Sequence, residues 1–391
     1  MCQKPLAMPE NPQQSLRLAL FAFDFRKAYD GATKALYNIT DRLEKNRTPF
    51  TVLSPSFDKE WPYSIGERKN LFSVPFPLYT DYRLTLVPKR VVFNYLDHFK
   101  PNLIHISTPC TLGHIAAAYA KARNLPIIGT YHSHTLKLIG DHYFSFTIPL
   151  AKYLFRKFYN AFDLLLVPTQ TVMDHLKDSG IHIPMKIWGR GVETDFFNPA
   201  HRSSELRKKW GAQEHPVILY AGRLVKEKGL SKLVTAYHQI KKRHPEALWW
   251  IAGQGTLEKK LKKLLPDVRF LGHLSREKLR GVYASSDIFV CPSATETFGN
   301  AVVEAMASGL PVITTNEGGS AELVQRAYQN NVTIFPAGQS EVLAQKISLL
   351  IQDQALRQQL SQQSLAFAKQ QQWSPLLDQI VLHYEMQVNP L

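Results

Sequence analysis

The sequence predicts an α/β fold made of two Rossmann-like domains, each a parallel sheet flanked by helices. Three observations lead there. The chain has 391 residues, which suits two domains of about 100–200 residues each. Short apolar runs alternate with amphipathic helical stretches along the whole length, the pattern of βαβ units. The rhythm breaks once, in the polar stretch 198–215, and restarts as a strand at Val217.

In the first half the apolar runs predict strands at 16–23, 51–54, 103–107, 127–131 and 164–168. Helical spacing between them predicts helices at 33–45, 91–99 and 113–123. In the second half, strands are expected at 217–221, 247–252, 268–271, 288–291, 312–314 and 333–335, with a Gln-enriched helix near 352–372. A last helix opens at Trp373, with Leu376, Leu377, Ile380, Val381 and Tyr384 at helical spacing. The expected division is 1–198, 199–372 and a last helix, 373–391. Open parallel sheets bind ligands outside the carboxyl ends of their strands, so the chemistry is sought there.

Composition narrows the classes. Hydrophobic residues make up 45% and charged residues 20%, which excludes global disorder. Lys and Arg number 47 against 32 Asp and Glu, a net charge of +15, and this favours anionic partners. The excess is shared almost equally by the two halves, so no basic arm of the nucleic-acid-binding kind is present, and no nucleic-acid partner is expected. Cys2, Cys110 and Cys291 are too few and too scattered for a disulfide framework or a zinc site. The first 14 residues are polar and Pro-rich, unlike a signal or transit peptide, and no window of about 18 apolar residues suits a membrane span. A cytoplasmic protein is expected.

The strongest motif is Glu296-Thr297-Phe298-Gly299-Asn300-Ala301-Val302-Val303-Glu304, followed by Gly309-Leu310-Pro311. A helix starting near Gly299 would aim free amides and the positive end of its dipole at an anion. Glu296 can accept hydrogen bonds from sugar hydroxyls and Glu304 can grip a ribose diol. Two glutamates solvating a helix face is the plainer alternative. The second motif, Gly222-Arg223-Leu224-Val225-Lys226-Glu227-Lys228-Gly229, follows the strand at 217–221. Gly222 permits a tight turn, and Arg223 and Lys228 can neutralise a leaving diphosphate. A solvated basic loop is the alternative there. No Asp-x-Asp occurs anywhere in the chain, so the diphosphate has no obvious metal-ligand pair, and neither metal nor cofactor is expected.

With these motifs the sequence resembles the retaining glycosyltransferases of family 4, which have the GT-B fold. The resemblance covers nearly the whole chain and is most specific from Tyr220 to Gly319. It implies that 1–198 binds the acceptor, that 199–372 binds the nucleotide sugar and that the helix 373–391 returns to the first domain, with Glu296 contacting the donor sugar and Glu304 the ribose. Arg223 and Lys228 would hold the phosphates, and the amides of Phe298, Gly299 and Asn300 would face the donor. Gly253-Gln254-Gly255 stands where relatives have Gly-Asp-Gly, with Gln254 the departure. The segment 268–273, Leu271 included, matches the strand lying beside the nucleotide base. Thr315-Asn316-Glu317-Gly318-Gly319 resembles a donor-side glycine loop, and a plain turn accounts for it equally well. On the acceptor side, His132 matches a histidine near the anomeric carbon, with His134 beside it. Gly31 ends a segment resembling the family's first glycine loop, where two glycines are common. Arg190 lies in an Arg-Gly-Val turn that would meet donor or acceptor, or form an interdomain ion pair.

The resemblance implies transfer of a hexose from a UDP- or GDP-linked sugar to a hydroxyl acceptor. Residues 130–198 are similar to the branch that includes sulfoquinovosyl, diacylglycerol glycosyl and mannosyl transferases, which suggests a membrane lipid or lipid-linked glycan. A soluble or polysaccharide acceptor, or a GT-B-fold nucleotide-sugar epimerase, is the alternative. Basic amphipathic stretches at 89–100 and 257–265, and the seven aromatics of 143–159, suit peripheral docking on the anionic inner face of the plasma membrane. Packing against a sheet is the alternative for each.

Overall fold

The computed structural model of the chain describes residues 14–26, 31–76, 79–132 and 148–390. Fifteen strands are seen among them. In chain order they are β1 (Leu18–Phe21), β2 (Phe50–Ser54), β3 (Glu67–Asn70), β4 (Ser73–Phe76), β5 (Tyr79–Thr85), β6 (Leu103–Ile106), β7 (Ile127–Thr130), β8 (Leu164–Val167) and β9 (Met185–Ile187). They continue as β10 (Val217–Ala221), β11 (Leu248–Ala252), β12 (Arg269–Gly272), β13 (Ile288–Cys291), β14 (Val312–Thr315) and β15 (Ile334–Phe335).

The expected strands are all present, with ends that match or differ by at most two residues. β10 and β13 lie where the apolar runs placed them. Their sequences, VILYA and IFVC, are buried along their whole length, as strands covered by helices on both faces must be. The pattern did not predict β3, β4, β5 and β9. The reason is local: β3 is Glu-Arg-Lys-Asn and largely exposed, and β9 is a three-residue strand. Both are terminal strands of their sheet, where charge protects an open edge and no apolar alternation is required. β4 and β5 form a separate antiparallel pair.

One sheet runs β3-β2-β1-β6-β7-β8-β9 and the other β12-β11-β10-β13-β14-β15. All five pairs of the six-stranded sheet are parallel, as are β1–β2, β1–β6, β2–β3 and β6–β7. Each sheet reverses its winding once, at β1/β6 and at β10/β13. Such a reversal leaves a crevice at the carboxyl ends of the two strands, because the flanking connections depart to opposite faces. The loops carrying the two strongest motifs therefore leave adjacent strands at one switch point.

By packing, the described residues up to Thr130, Lys157–Leu165 and those from Leu377 onward form one compact unit, and the rest form another. The seven-stranded sheet uses residues before 198 and the six-stranded sheet residues after 216. In the first unit, Tyr384 of the last helix, Trp373–Val388, is fully buried and meets His105 Nδ1 at 2.5 Å. His105 Nε2 in turn lies 2.9 Å from Thr130 Oγ1. Arg42 also pairs with Asp378.

Candidate functional site

The loop after β10 and the loop after β13 are tied together. Lys228 Nζ donates to Glu296 Oε1 at 2.6 Å, and Thr295 Oγ1 donates to Glu227 O at 3.1 Å. The Lys228 and Glu296 side chains are 17% and 23% exposed, enough to meet a ligand yet dry enough for the pair to be strong. Arg223 stands beside them, its side chain 70% exposed and only 3.8 Å from the nearest Glu227 oxygen. An ion pair that open holds a side chain weakly. Arg223 O accepts from the buried Tyr220 hydroxyl at 2.9 Å, which fixes the backbone from which Arg223 projects.

The Glu296 main chain is held from several directions. Gly319 N donates to Glu296 O at 2.7 Å. Thr297 Oγ1 donates to His132 O at 2.9 Å, and Thr169 Oγ1 donates to Thr297 O at 3.1 Å. The loop Thr315–Gly319 lies so close that a Cβ on Gly319 would meet Thr297 O at 2.2 Å. Its glycines are thus needed for backbone-on-backbone contact, which goes beyond the demands of a plain turn. The helix Asn300–Ala307 starts directly after Gly299, with Phe298 buried beneath it.

Glu304 lies one turn into that helix and accepts from Tyr283 Oη at 3.2 Å. Tyr283 is fully buried, and burial followed by the Glu304 charge pushes its hydroxyl well above the usual tyrosine range. It is therefore a hydrogen-bond donor at all working pH values. Cys291, also buried, has its thiol pushed up to about 11 by desolvation first, so it is not a thiolate nucleophile.

Gly253 adopts φ 139°, and a Cβ there would lie 1.9 Å from Gly222 O. The two glycine turns interlock: Gly222 N donates to Ala252 O, Leu224 N to Gln254 O, and Gly253 N to Gly272 O, at 2.8–2.9 Å. Gln254 performs its structural part through its main-chain carbonyl, which explains why the turn survives without the family's aspartate. Leu271 is half-buried at the end of β12.

Of the residues expected on the acceptor side, His132 lies two residues beyond the end of β7, while His134 lies outside the described residues. Gly31 opens the helix Gly31–Lys45; the residues 27–30 before it are likewise outside. Arg190 is 4% exposed. Its Nη1 donates to Trp188 O and Gly189 O at 3.1 and 3.0 Å, and its Nη2 to His132 Nδ1 at 2.8 Å. Among the described residues no carboxylate pairs with it, so the alternative of an ion pair is not met there. Its partners are carbonyls and a histidine, because the turn folds the guanidinium back onto its own chain. Burial lowers it to about 9, still protonated at neutral pH.

Thus the structure brings Gly222, Arg223, Lys228, Gly253, Glu296, Phe298, Gly299, Asn300 and Glu304 to the carboxyl ends of β10, β11 and β13. It also ties His132 to the Glu296 segment. Sequence reasoning missed Tyr283, Thr297 and Tyr220, whose parts depend on contacts between distant segments that carry no local signal. Among the described residues no group of three His, Cys, Asp or Glu could hold a metal ion.

Two family models match the chain: Glycosyltransferase Family 4 over residues 29–196 and Glycosyl transferases group 1 over residues 202–366. The chain is 31% identical over 367 residues to the sulfoquinovosyl transferase SQD2 of Arabidopsis thaliana, covering 90% of this chain and 70% of that one. It is 28% identical to a GDP-mannose-dependent alpha-mannosyltransferase of Corynebacterium glutamicum, covering 94% and 88%. The solved structure of Anabaena HepE in complex with UDP superposes with a TM-score of 0.74 at 20% identity, covering 94% and 99%. The chain belongs to glycosyltransferase family 4 and is a glycosyltransferase with the GT-B fold.

Proposed function

We propose that the protein is a retaining, metal-independent hexosyltransferase that uses a UDP- or GDP-linked sugar and a lipid or lipid-linked glycan acceptor. The observation that carries this reading is the Lys228–Glu296 pair at the β10/β13 switch point, with Arg223 exposed beside it. A cation for the leaving diphosphate and a carboxylate for the sugar hydroxyls stand side by side there, where the bond between those two ligand parts would break. Glu304 would take the ribose diol, and the amides of the Asn300–Ala307 helix would add their dipole to the phosphate site.

In the reaction the bond from the anomeric carbon to the phosphate oxygen breaks, and a bond from that carbon to the acceptor oxygen forms on the same face. The acceptor proton passes to the departing phosphate oxygen. Arg223 and Lys228 stabilise the charge that develops on the diphosphate, so their effect is greatest in the transition state. The absence of an Asp-x-Asp pair from the sequence supports leaving this task to the two cations.

The donor test is thermal stability against UDP, GDP, ADP and CDP in EDTA. A nucleotide at 100 times its Kd stabilises the fold by about 2.7 kcal/mol, and one base is expected to raise Tm by a few degrees. A shift that requires a divalent ion would overturn the metal-free reading. Sugar turnover with donor alone and no acceptor would favour an epimerase instead.

The lipid acceptor is supported by the helix Ile148–Tyr159. Its Phe155, Phe158 and Tyr159 are buried, whereas Leu150, Tyr153 and Leu154 are 62%, 53% and 48% exposed. These three lie at i, i+3 and i+4, hence on one face, flanked by exposed Lys152, Arg156 and Lys157. The other two basic stretches supply less: Val92, Leu96 and Phe99 of one and Leu261 of the other are buried. Among the described residues no helix is long and apolar enough to cross a membrane. The full chain is expected to sediment with phosphatidylglycerol vesicles but not with phosphatidylcholine vesicles, and the triple variant Leu150→Ser, Tyr153→Ser, Leu154→Ser is expected to lose that binding. Undiminished sedimentation of the variant would remove the support this helix gives.

A further inference from the structure

We propose that Arg190 is a positioning residue that locks His132 as the neutral imidazole carrying its hydrogen on Nε2, making it a hydrogen-bond donor that cannot act as a base. The inference rests on the reading that His132 faces the donor sugar, and it specifies what His132 offers there.

The argument starts from donor chemistry. A guanidinium has only N–H donors and no acceptor. Arg190 Nη2 lies 2.8 Å from His132 Nδ1, so Nδ1 must present its lone pair and the ring hydrogen must reside on Nε2. A second proton on Nδ1 would set two N–H groups against each other and place an imidazolium beside a buried cation. The guanidinium cannot swing away to relieve this. Its other nitrogen is held by Trp188 O and Gly189 O, its face lies 4.7 Å from the centre of the Trp188 ring, and it is 4% exposed.

The backbone of His132 is held independently by the bond from Thr297 Oγ1 to its carbonyl. The ring is therefore anchored through Nδ1, and its residue is anchored to the segment that carries Glu296. These charged and titratable groups stand around it on the described elements. Arg190 comes from the segment after β9, Tyr131 is its chain neighbour, and Glu296, paired with Lys228, flanks Thr297. Arg190 is hydrogen-bonded to the ring.

A neutral Nε2–H has a defined use and a defined limit. It can donate to a hydroxyl or ring oxygen of a bound sugar, and it has no lone pair on that nitrogen with which to take the acceptor's proton. The proton must then go to the leaving phosphate oxygen, as proposed above.

The test uses the full-length protein labelled in its histidines, with the His132 ring signals assigned by their loss in His132→Gln. In the wild type the expected nitrogen shifts are those of the Nε2–H tautomer, with no titration between about pH 5 and 8. In Arg190→Met the ring is expected to titrate near its ordinary value of about 6.5. One unit below that value about ten rings in eleven of the variant carry a second proton on Nδ1, a state to be read in the nitrogen shifts and absent from the wild type. Arg190→Lys, which keeps a charge and a donor, is expected to suppress that titration.

A wild-type ring that titrates near 6.5, or one with its hydrogen on Nδ1, would overturn the proposal, as would a ring in Arg190→Met that titrates no more readily than in the wild type. The wild-type titration decides the matter even where Arg190→Met does not fold. Full turnover by His132→Gln would instead sink the reading that His132 faces the sugar, leaving the tautomer result intact.

Discussion

Lys228→Met is expected to lower kcat by about 10²–10³-fold, the loss typical when one preorganised group that stabilises transition-state charge is removed. Methionine keeps most of the unbranched stem and removes the ammonium. That ammonium donates to Glu296 at 2.6 Å. An ammonium has three N–H donors, so it can keep one on Glu296 and turn another to a phosphate oxygen without a conformational search. The variant loses both services: the charge on the leaving group and the orientation of the carboxylate that holds the sugar. Because the residue lies in a loop and is part-exposed, Tm should change by no more than a few degrees. Lys228→Arg, which restores charge with a bulkier head, should recover part of the loss. Turnover of Lys228→Met within threefold of wild type would remove Lys228 from the site.

Glu304→Gln is expected to weaken binding of the nucleoside diphosphate by about 10–150-fold, the equivalent of about 1.5–3 kcal/mol for hydrogen bonds to a charged group. The choice of glutamine follows from Tyr283. Its buried hydroxyl donates to Glu304 Oε2, and alanine would leave that donor without this acceptor at a cost of about 1–3 kcal/mol. Glu304→Ala would thus mix lost stability with lost affinity, whereas the amide oxygen of glutamine can still accept from Tyr283. Calorimetric titration of the nucleotide that shifts Tm in wild type separates the two effects. An unchanged Kd would return Glu304 to the plainer reading, a carboxylate on a helix face.

Much of the fold could be read from the letters because parallel sheets bury their strands on both faces. A run such as VILYA or IFVC needs no knowledge of its neighbours to be recognised. β3 escaped for the opposite reason: an exposed edge strand made of Glu, Arg, Lys and Asn satisfies backbone pairing without burying side chains, so hydropathy is silent. The aromatics of the helix Ile148–Tyr159 show the same limit. Composition put Phe155 and Tyr153 in one class, and only packing buried the first and left the second exposed.

By itself the sequence determined two α/β sheets, the strand-to-loop turn at Gly222, the helix start near Gly299, the resemblance to family 4, and the residue types able to meet a sugar and a diphosphate. Each depends on chemistry carried within a short window: an apolar run, a glycine where the backbone must turn, a charged side chain after a strand. Only the tertiary structure decided which of these groups meet. Lys228 and Glu296 are 68 residues apart in the chain and 2.6 Å apart in space, and Arg190 is 58 residues from the histidine to which it donates. The spatial order of the strands sets β10 beside β13, and no periodicity along the chain records which strand lies next to which.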